Sequence, residues 1–187
     1  MIIIFIGPPG AGKGTQAKRL SDKLQIPYFS MGQLLREAYE SGIPEGKEAW
    51  ENYSAKGTNV PIPLKFRILE EQMEAAKTGF ILDNFPRNIE DLEAWKEYSL
   101  RTGRKAEKVF HLVIPDETCF QRVQKRVKHE LNKRGDDDLN LLKTRIEEGY
   151  RKELTSILDF FHEQKVLVEI DGTQSVDVVT ETINKNL

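Results

Sequence analysis

Cysteine is nearly absent. Cys119 stands alone in 187 residues, so one chain can build neither a disulfide framework nor a four-thiolate zinc site. Beside Phe120 on a helical pattern, it reads as a small core residue. A basic excess is missing too: 28 Lys and Arg against 30 Asp and Glu leave a formal net charge of −2, without the field that draws nucleic acid or anionic membrane. Neither partner is expected. Long apolar runs are absent, since Ile2 to Ile6 is too short to span a bilayer and continues into a glycine-rich loop without a cleavage site. A soluble, reducing, cytoplasmic setting and a monomeric state are the expectations. Repeats, low-complexity tracts and flexible linkers are lacking, and the length fits one α/β domain with a small insert. The two tryptophans, Trp50 and Trp95, each stand within a helical pattern and read as packing residues rather than base platforms.

What is present begins at the first residues. Ile2 to Ile6 shows no polar alternation, which is how a parallel strand covered on both faces reads. It runs into Gly7-Pro8-Pro9-Gly10-Ala11-Gly12-Lys13-Gly14-Thr15, a match to the phosphate-loop pattern G-x-x-x-x-G-K with glycine in place of the usual Ser or Thr. Glycines let the backbone curl so that successive N–H groups point at a phosphate, and a helix starting near Lys13 adds its positive end. Lys13 is placed to reach the outer phosphates of a nucleotide. Motor ATPases and GTPases put a hydroxyl on Mg²⁺ at position 14, so this loop is unlike theirs.

Further strand-like runs follow at Pro27 to Ser30, Phe80 to Asn84, Val109 to Ile114 and Val166 to Ile170, separated by stretches of helical spacing. Five strands alternating with helices predict a doubly wound parallel sheet, with ligands beyond the carboxyl ends of its strands. Helices are expected over Lys13 to Leu24, Glu45 to Lys56, Pro63 to Lys77, Asn88 to Leu100 and Asp116 to Lys128. One long helix is expected to carry Leu142, Ile146, Tyr150, Leu154, Ile157 and Phe161 on one stripe. Phe80-Ile81-Leu82-Asp83 ends a buried strand in a carboxylate, which beside a phosphate loop can hold Mg²⁺ directly or through water. Arg36, Arg87, Arg122, Arg126, Arg134 and Arg145 fall at element ends or helix turns, where planar guanidinium forks can grip phosphate bidentately.

The order of these residues resembles the adenylate kinase family of nucleoside monophosphate kinases over nearly the whole chain. The resemblance implies a three-layer phosphate-loop kinase fold: a core of residues 1–29, 61–126 and 135–187, an acceptor-binding insert over 30–60, and a short lid over 127–134. Residues 7 to 16 look like the family's ATP loop, implying donor contacts from Gly10, Ala11, Gly12, Lys13, Gly14 and Thr15. Ser30-Met31-Gly32-Gln33-Leu34-Leu35-Arg36 and the Gly57-to-Pro61 segment resemble the acceptor side, implying contacts from Met31, Arg36, Thr58, Asn59 and Val60. Phe80 to Arg87 is similar to Gly-Phe-x-x-Asp-Gly-Phe-Pro-Arg, which adds Asn84, Phe85, Pro86 and Arg87. Arg122 and Arg126 resemble the helix that ends at the lid, Arg134 its far end, and Arg145 the last phosphate arginine. Arg134 and Arg145 are thereby assigned to both catalysis and the acceptor, and Asp171-Gly172-Thr173-Gln174 to the donor adenine through Gln174. The stretch between Arg126 and Arg134 has no cysteine and resembles the compact lid, whose closure excludes water from the transfer. His129 within it reads as an exposed loop histidine.

Three positions depart from the family pattern at the acceptor base: Met31 for threonine, Asn84 for glycine, and Asp91 for a glutamine that reads adenine. A carboxylate can only accept hydrogen bonds, so Asp91 alone leaves adenine N1 unpaired. Asp91 also stands three after Asn88, where an acid stabilises a first helical turn; base reader and capping residue both remain open. The expected reaction is transfer from ATP to AMP with Mg²⁺ as cofactor. The alternatives are a UMP/CMP or GMP kinase on the same scaffold, or a nucleotide-binding module without transfer.

Overall fold

The computed structural model describes residues 1–56, 58–128, 142–143 and 146–187. Five strands form one all-parallel sheet: β1 Ile2–Ile6, β2 Tyr28–Ser30, β3 Phe80–Asp83, β4 Lys108–Val113 and β5 Leu167–Asp171, in spatial order β2-β3-β1-β4-β5. In register, Phe5 stands opposite both Asp83 on β3 and Phe110 on β4. The expected strand bounds hold to within one residue. Each lies where an apolar run is bounded by glycine, proline or charge.

Along the central strands, side chains alternate between two cores. Ile2, Ile4, Ile6, Phe80, Leu82 and Val109 face one layer, together with Leu69, Met73, Trp95 and Phe161. Ile3, Phe5, Ile81, Phe110 and Leu112 face the other, together with Ala17, Leu20, Cys119, Val123 and Ile183. This explains the lack of polar alternation in β1, since both of its faces are buried. Trp95 is 1% exposed and belongs to the core, as its helical context predicts. Burial pushes the Cys119 thiol up to about 11, and nearby Asp116 adds to the shift.

The first layer is built from α2 Met31–Glu40, α3 Pro44–Asn52, α4 Ile62–Ala75, α5 Ile89–Thr102 and the helix Leu154–Glu163. The second is built from α1 Lys13–Leu24, α6 Asp116–Lys128 and the helix Val176–Lys185. Two expectations need correction. The segment read as one helix from Glu45 to Lys56 ends at Asn52 and is followed by a single 3₁₀ turn, Ser54–Lys56. The stripe from Leu142 to Phe161 does not serve one core. Leu142 and Ile146 pack in the second core and Ile157 and Phe161 in the first, with a π-helical turn over Glu147–Arg151 between them. Such a turn takes one extra residue per loop of backbone and so redirects the apolar face.

Candidate active site

β1 delivers Gly7 to the carboxyl edge of the sheet, and the loop that follows closes on itself: Ala11 N donates to Pro8 O at 3.2 Å, and Gln16 N to Gly12 O at 3.0 Å. Gly12, the residue before α1, has φ 92°, a left-handed conformation that costs a side-chain-bearing residue and is free to glycine. Gly10 is equally left-handed, and a Cβ there would lie 3.3 Å from Cys119 O and 3.4 Å from Arg122 Cβ. Helix α6 therefore packs directly on the loop. Arg122 fastens the two: Nη1 donates to Gly172 O at 2.8 Å and to Gly10 O at 3.3 Å. Lys13, the first residue of α1, folds back so that Nζ donates to Pro8 O at 3.0 Å. The turn after β5 is held by Asp171, which accepts from Thr173 N at 2.9 Å, Thr173 Oγ1 at 2.6 Å and Gln174 Nε2 at 2.7 Å. The Gln174 and Thr173 bonds hold the Asp171 carboxyl below its usual range.

A cleft of about 450 Å³ opens beyond this edge. Gly10, Gly12, Lys13, Gly14 and Thr15 line it from the phosphate loop, and four arginines from three separate segments join them: Arg36 of α2, Arg87 of the loop after β3, and Arg122 and Arg126 of α6. Met31, Thr58, Asn59, Val60, Asn84 and Asp91 line it as well. Asp83 reaches the cleft from the end of β3, 6% exposed. Its Oδ2 accepts from Tyr28 O–H at 3.0 Å, while its Oδ1 is sealed from solvent with no hydrogen-bond donor among the described residues. An orphaned carboxylate oxygen beside a phosphate loop fits a hard cation such as Mg²⁺, which Asp83 would hold. No cluster of three or more candidate metal ligands occurs among the described residues.

Two of the three departures have local explanations. Asn84 has φ 66°, a left-handed position where asparagine, like glycine, is tolerated. Met31 opens α2 at 6% exposure and packs in the first core, making that wall more apolar than threonine would. The third is resolved by contacts. Asn88 Oδ1 accepts from Asp91 N at 2.8 Å, and Asp91 Oδ2 accepts from Arg87 N at 2.9 Å, so Asp91 does stabilise the start of α5. Its other oxygen, Oδ1, lies 2.5 Å from Lys65 Nζ of α4 in an ion pair whose side chains are 2% and 6% exposed. Among the described residues Oδ1 has no hydrogen-bond donor besides this ammonium. Burial raises the Asp91 carboxyl above its usual range, against the opposing pull of Lys65 and the Arg87 N–H.

Some expected site residues are not cleft walls. The Ala11 methyl is buried in the second core and Phe85, 1% exposed, in the first, so either can meet a ligand only through its backbone. Pro86 lines a small secondary cavity, and Gln174 turns to Asp171. Gly57, His129, Arg134 and Arg145, with most of the expected lid, lie outside the described residues. Other residues reach the cleft without having been singled out for it. Trp50 lines it while stacking on Tyr39 at 5.6 Å between centroids. Tyr150, read only as part of a core stripe, lines it too and bonds His111 Nε2 at 2.8 Å. Lys65 is the third, and its signal was present: Lys65, Leu69 and Met73 recur every four residues on the buried face of α4.

The family model described as adenylate kinase matches residues 5–166. The chain belongs to the adenylate kinase family. This family member is 37% identical to the adenylate kinase of Agrobacterium fabrum over 100% of its own length and 97% of the relative's. It is 34% identical to the adenylate kinase of Archaeoglobus fulgidus over 98% and 96%, and 36% identical to adenylate kinase 1 of a Nostoc species over 99% and 97%. As an adenylate kinase family member it is a nucleoside monophosphate kinase, a phosphotransferase; these likenesses do not favour the reading as a pyrimidine or guanine kinase, or as a non-catalytic module.

Proposed function

We propose that this chain transfers the terminal phosphoryl group of ATP to AMP, reversibly and with Mg²⁺, giving two ADP. One observation carries the reading: four arginines from three separate segments share one cleft with Lys13 and the glycine loop. A site for one nucleotide has no need of them, whereas two polyanions brought end to end repel unless the charge between them is neutralised.

In this reading the loop amides of Gly10 to Thr15 and Lys13 bind the donor phosphates, and Arg122 with the 171–174 turn borders the donor base. Arg36 and Arg87 grip the acceptor phosphate. Met31, Thr58, Asn59, Val60 and the backbone from Asn84 to Arg87 hold the acceptor nucleoside. Arg126, with Arg134 and Arg145 by resemblance, surrounds the transferring group, and residues 127–134 act as the lid over an insert of residues 30–60. Asp83 holds Mg²⁺ through water, and the bound cation supplies charge neutralisation between phosphates. No side chain has to act as a strong base, because alignment and neutralisation dominate phosphoryl transfer. A monomer in the cytoplasm completes the reading; among the described residues no helix is long and apolar enough to cross a membrane.

A coupled assay supplying ATP and Mg²⁺ with AMP, CMP, UMP or GMP in turn is the test. Turnover fastest with AMP is expected. Turnover fastest with another monophosphate would remove the assignment of AMP, and turnover with none would remove the transfer itself.

A further inference from the structure

The buried Lys65–Asp91 pair stands at the acceptor end of the cleft, in contact with its space. Replacing such a pair by apolar groups of similar volume is often neutral or stabilising, so stability alone does not account for its presence. The two partners are satisfied unequally. Asp91 is tied on both oxygens, by Arg87 N at 2.9 Å and by Lys65 at 2.5 Å. Lys65 Nζ carries three protons, and Asp91 Oδ1 is its one partner among the described residues. The carboxylate is thus the anchor, and the ammonium is the group with hydrogen bonds left to give.

We propose that Lys65 is the residue that reads the acceptor base, donating from Nζ to N1 or N7 of adenine, with Asp91 as the positioning residue that fixes it. The inference rests on the reading of AMP as acceptor given above. Charge decides what Lys65 contacts. Arg36 and Arg87 line the same cleft, whereas the Lys65–Asp91 pair is neutral as a unit and exerts little pull on a phosphate. A neutral pair with a spare donor suits an uncharged acceptor atom, and in a dry wall an unmatched ammonium proton is costly, so a base without a nitrogen there is rejected. The deficit left by an acceptor-only carboxylate is made good from a second helix, since Lys65 is on α4 and Asp91 on α5.

The experiment titrates the protein calorimetrically with AMP, 1-deaza-AMP and 7-deaza-AMP, each analogue having a C–H in place of one ring nitrogen. Wild type should bind one of the two analogues on the order of 10-fold to 100-fold more weakly than AMP. In Lys65→Met that discrimination should collapse to within about 3-fold, because the donor is gone. Lys65→Met strands a buried carboxylate, so Lys65→Met/Asp91→Asn is made alongside; the asparagine can still accept from Arg87 N–H. Asp91→Asn alone should lose discrimination in part, a change that a purely structural role for Asp91 would not produce. Equal binding of all three nucleotides by wild type, or discrimination retained in the folded double variant, would overturn the assignment. Neither result would touch the reading of AMP as acceptor, which the coupled assay with the four monophosphates tests separately.

Discussion

Where the donor is proposed to bind, Gly10, Gly12 and Lys13 come from one unbroken stretch, whereas where the acceptor is proposed to bind, Met31, Val60, Lys65, Asn84 and Asp91 come from different elements up to 60 residues apart (91 − 31). The proposed donor end offers mainly backbone: glycines at left-handed φ, N–H groups and the start of α1. The acceptor end works through side chains held by one another, as Asp91 is by Asn88, Arg87 and Lys65. Backbone recognition of phosphate tolerates no rearrangement and can be written in nine consecutive residues. Side-chain recognition of a base can draw on a neighbouring helix, which is the role proposed for the Lys65–Asp91 pair.

The contrast can be broken at the donor end first. Lys13→Met should lower kcat/KM for ATP on the order of 10²-fold to 10³-fold in the coupled assay, with the far-ultraviolet circular dichroism spectrum unchanged. Near wild-type turnover would mean that the loop backbone suffices without its cation. A smaller effect is expected between the two ends. Asp83→Asn should cost about 10-fold to 100-fold in activity and shift the Mg²⁺ titration to higher concentration, since the orphaned Oδ1 loses its charge. An unshifted titration would remove Asp83 from the metal's surroundings.

The smallest effect sharpens the comparison behind both ends. His111 on β4 is 5% exposed, with Nδ1 3.1 Å from Glu169 Oε1 and Nε2 2.8 Å from Tyr150 O–H. A carboxylate can only accept, so in the neutral ring Nδ1–H donates to Glu169 and Nε2 accepts from Tyr150. Burial lowers the imidazole pKa below its usual 6.5, against the Glu169 contact, so the unfolded chain binds a proton more readily than the folded one. Stability supplied by this group is therefore complete above pH 6.5 and declines as pH falls from there through the lowered folded value. Urea midpoints measured from pH 7.5 to 5 should fall less steeply in His111→Gln than in wild type. Parallel curves would show that the imidazole is not buried neutral.

The difference between the two ends also explains what could be read from sequence. The loop, the five strands and the helices α1, α5 and α6 were legible because each depends on neighbours in the chain: an apolar run, a glycine, a cap. Of the six arginines read together, Arg36, Arg87, Arg122 and Arg126 do meet in the cleft, and Arg134 and Arg145 lie outside the described residues. Lys65 was not, because one of 28 cationic residues looks like surface until the helical stripe through Leu69 and Met73 is drawn. Asp91 was legible as a capping acid but not as half of an ion pair, since its partner lies 26 residues away (91 − 65) on another helix. The helix Val176–Lys185 escaped notice because Val176, Val178, Val179 and Thr180 are β-branched and favour strand, yet Ser175 accepts from Val178 N and starts it.

One earlier feature carries a mechanical meaning. The segment that places Leu142 and Ile146 under one side of the sheet and Ile157 and Phe161 over the other acts as a rivet through the molecule. Neither layer of helices can peel from the strands without loosening a stretch of chain that also clamps its opposite. Damage to one layer of helices is thereby expected to be felt in the other, so that the two melt in a single transition.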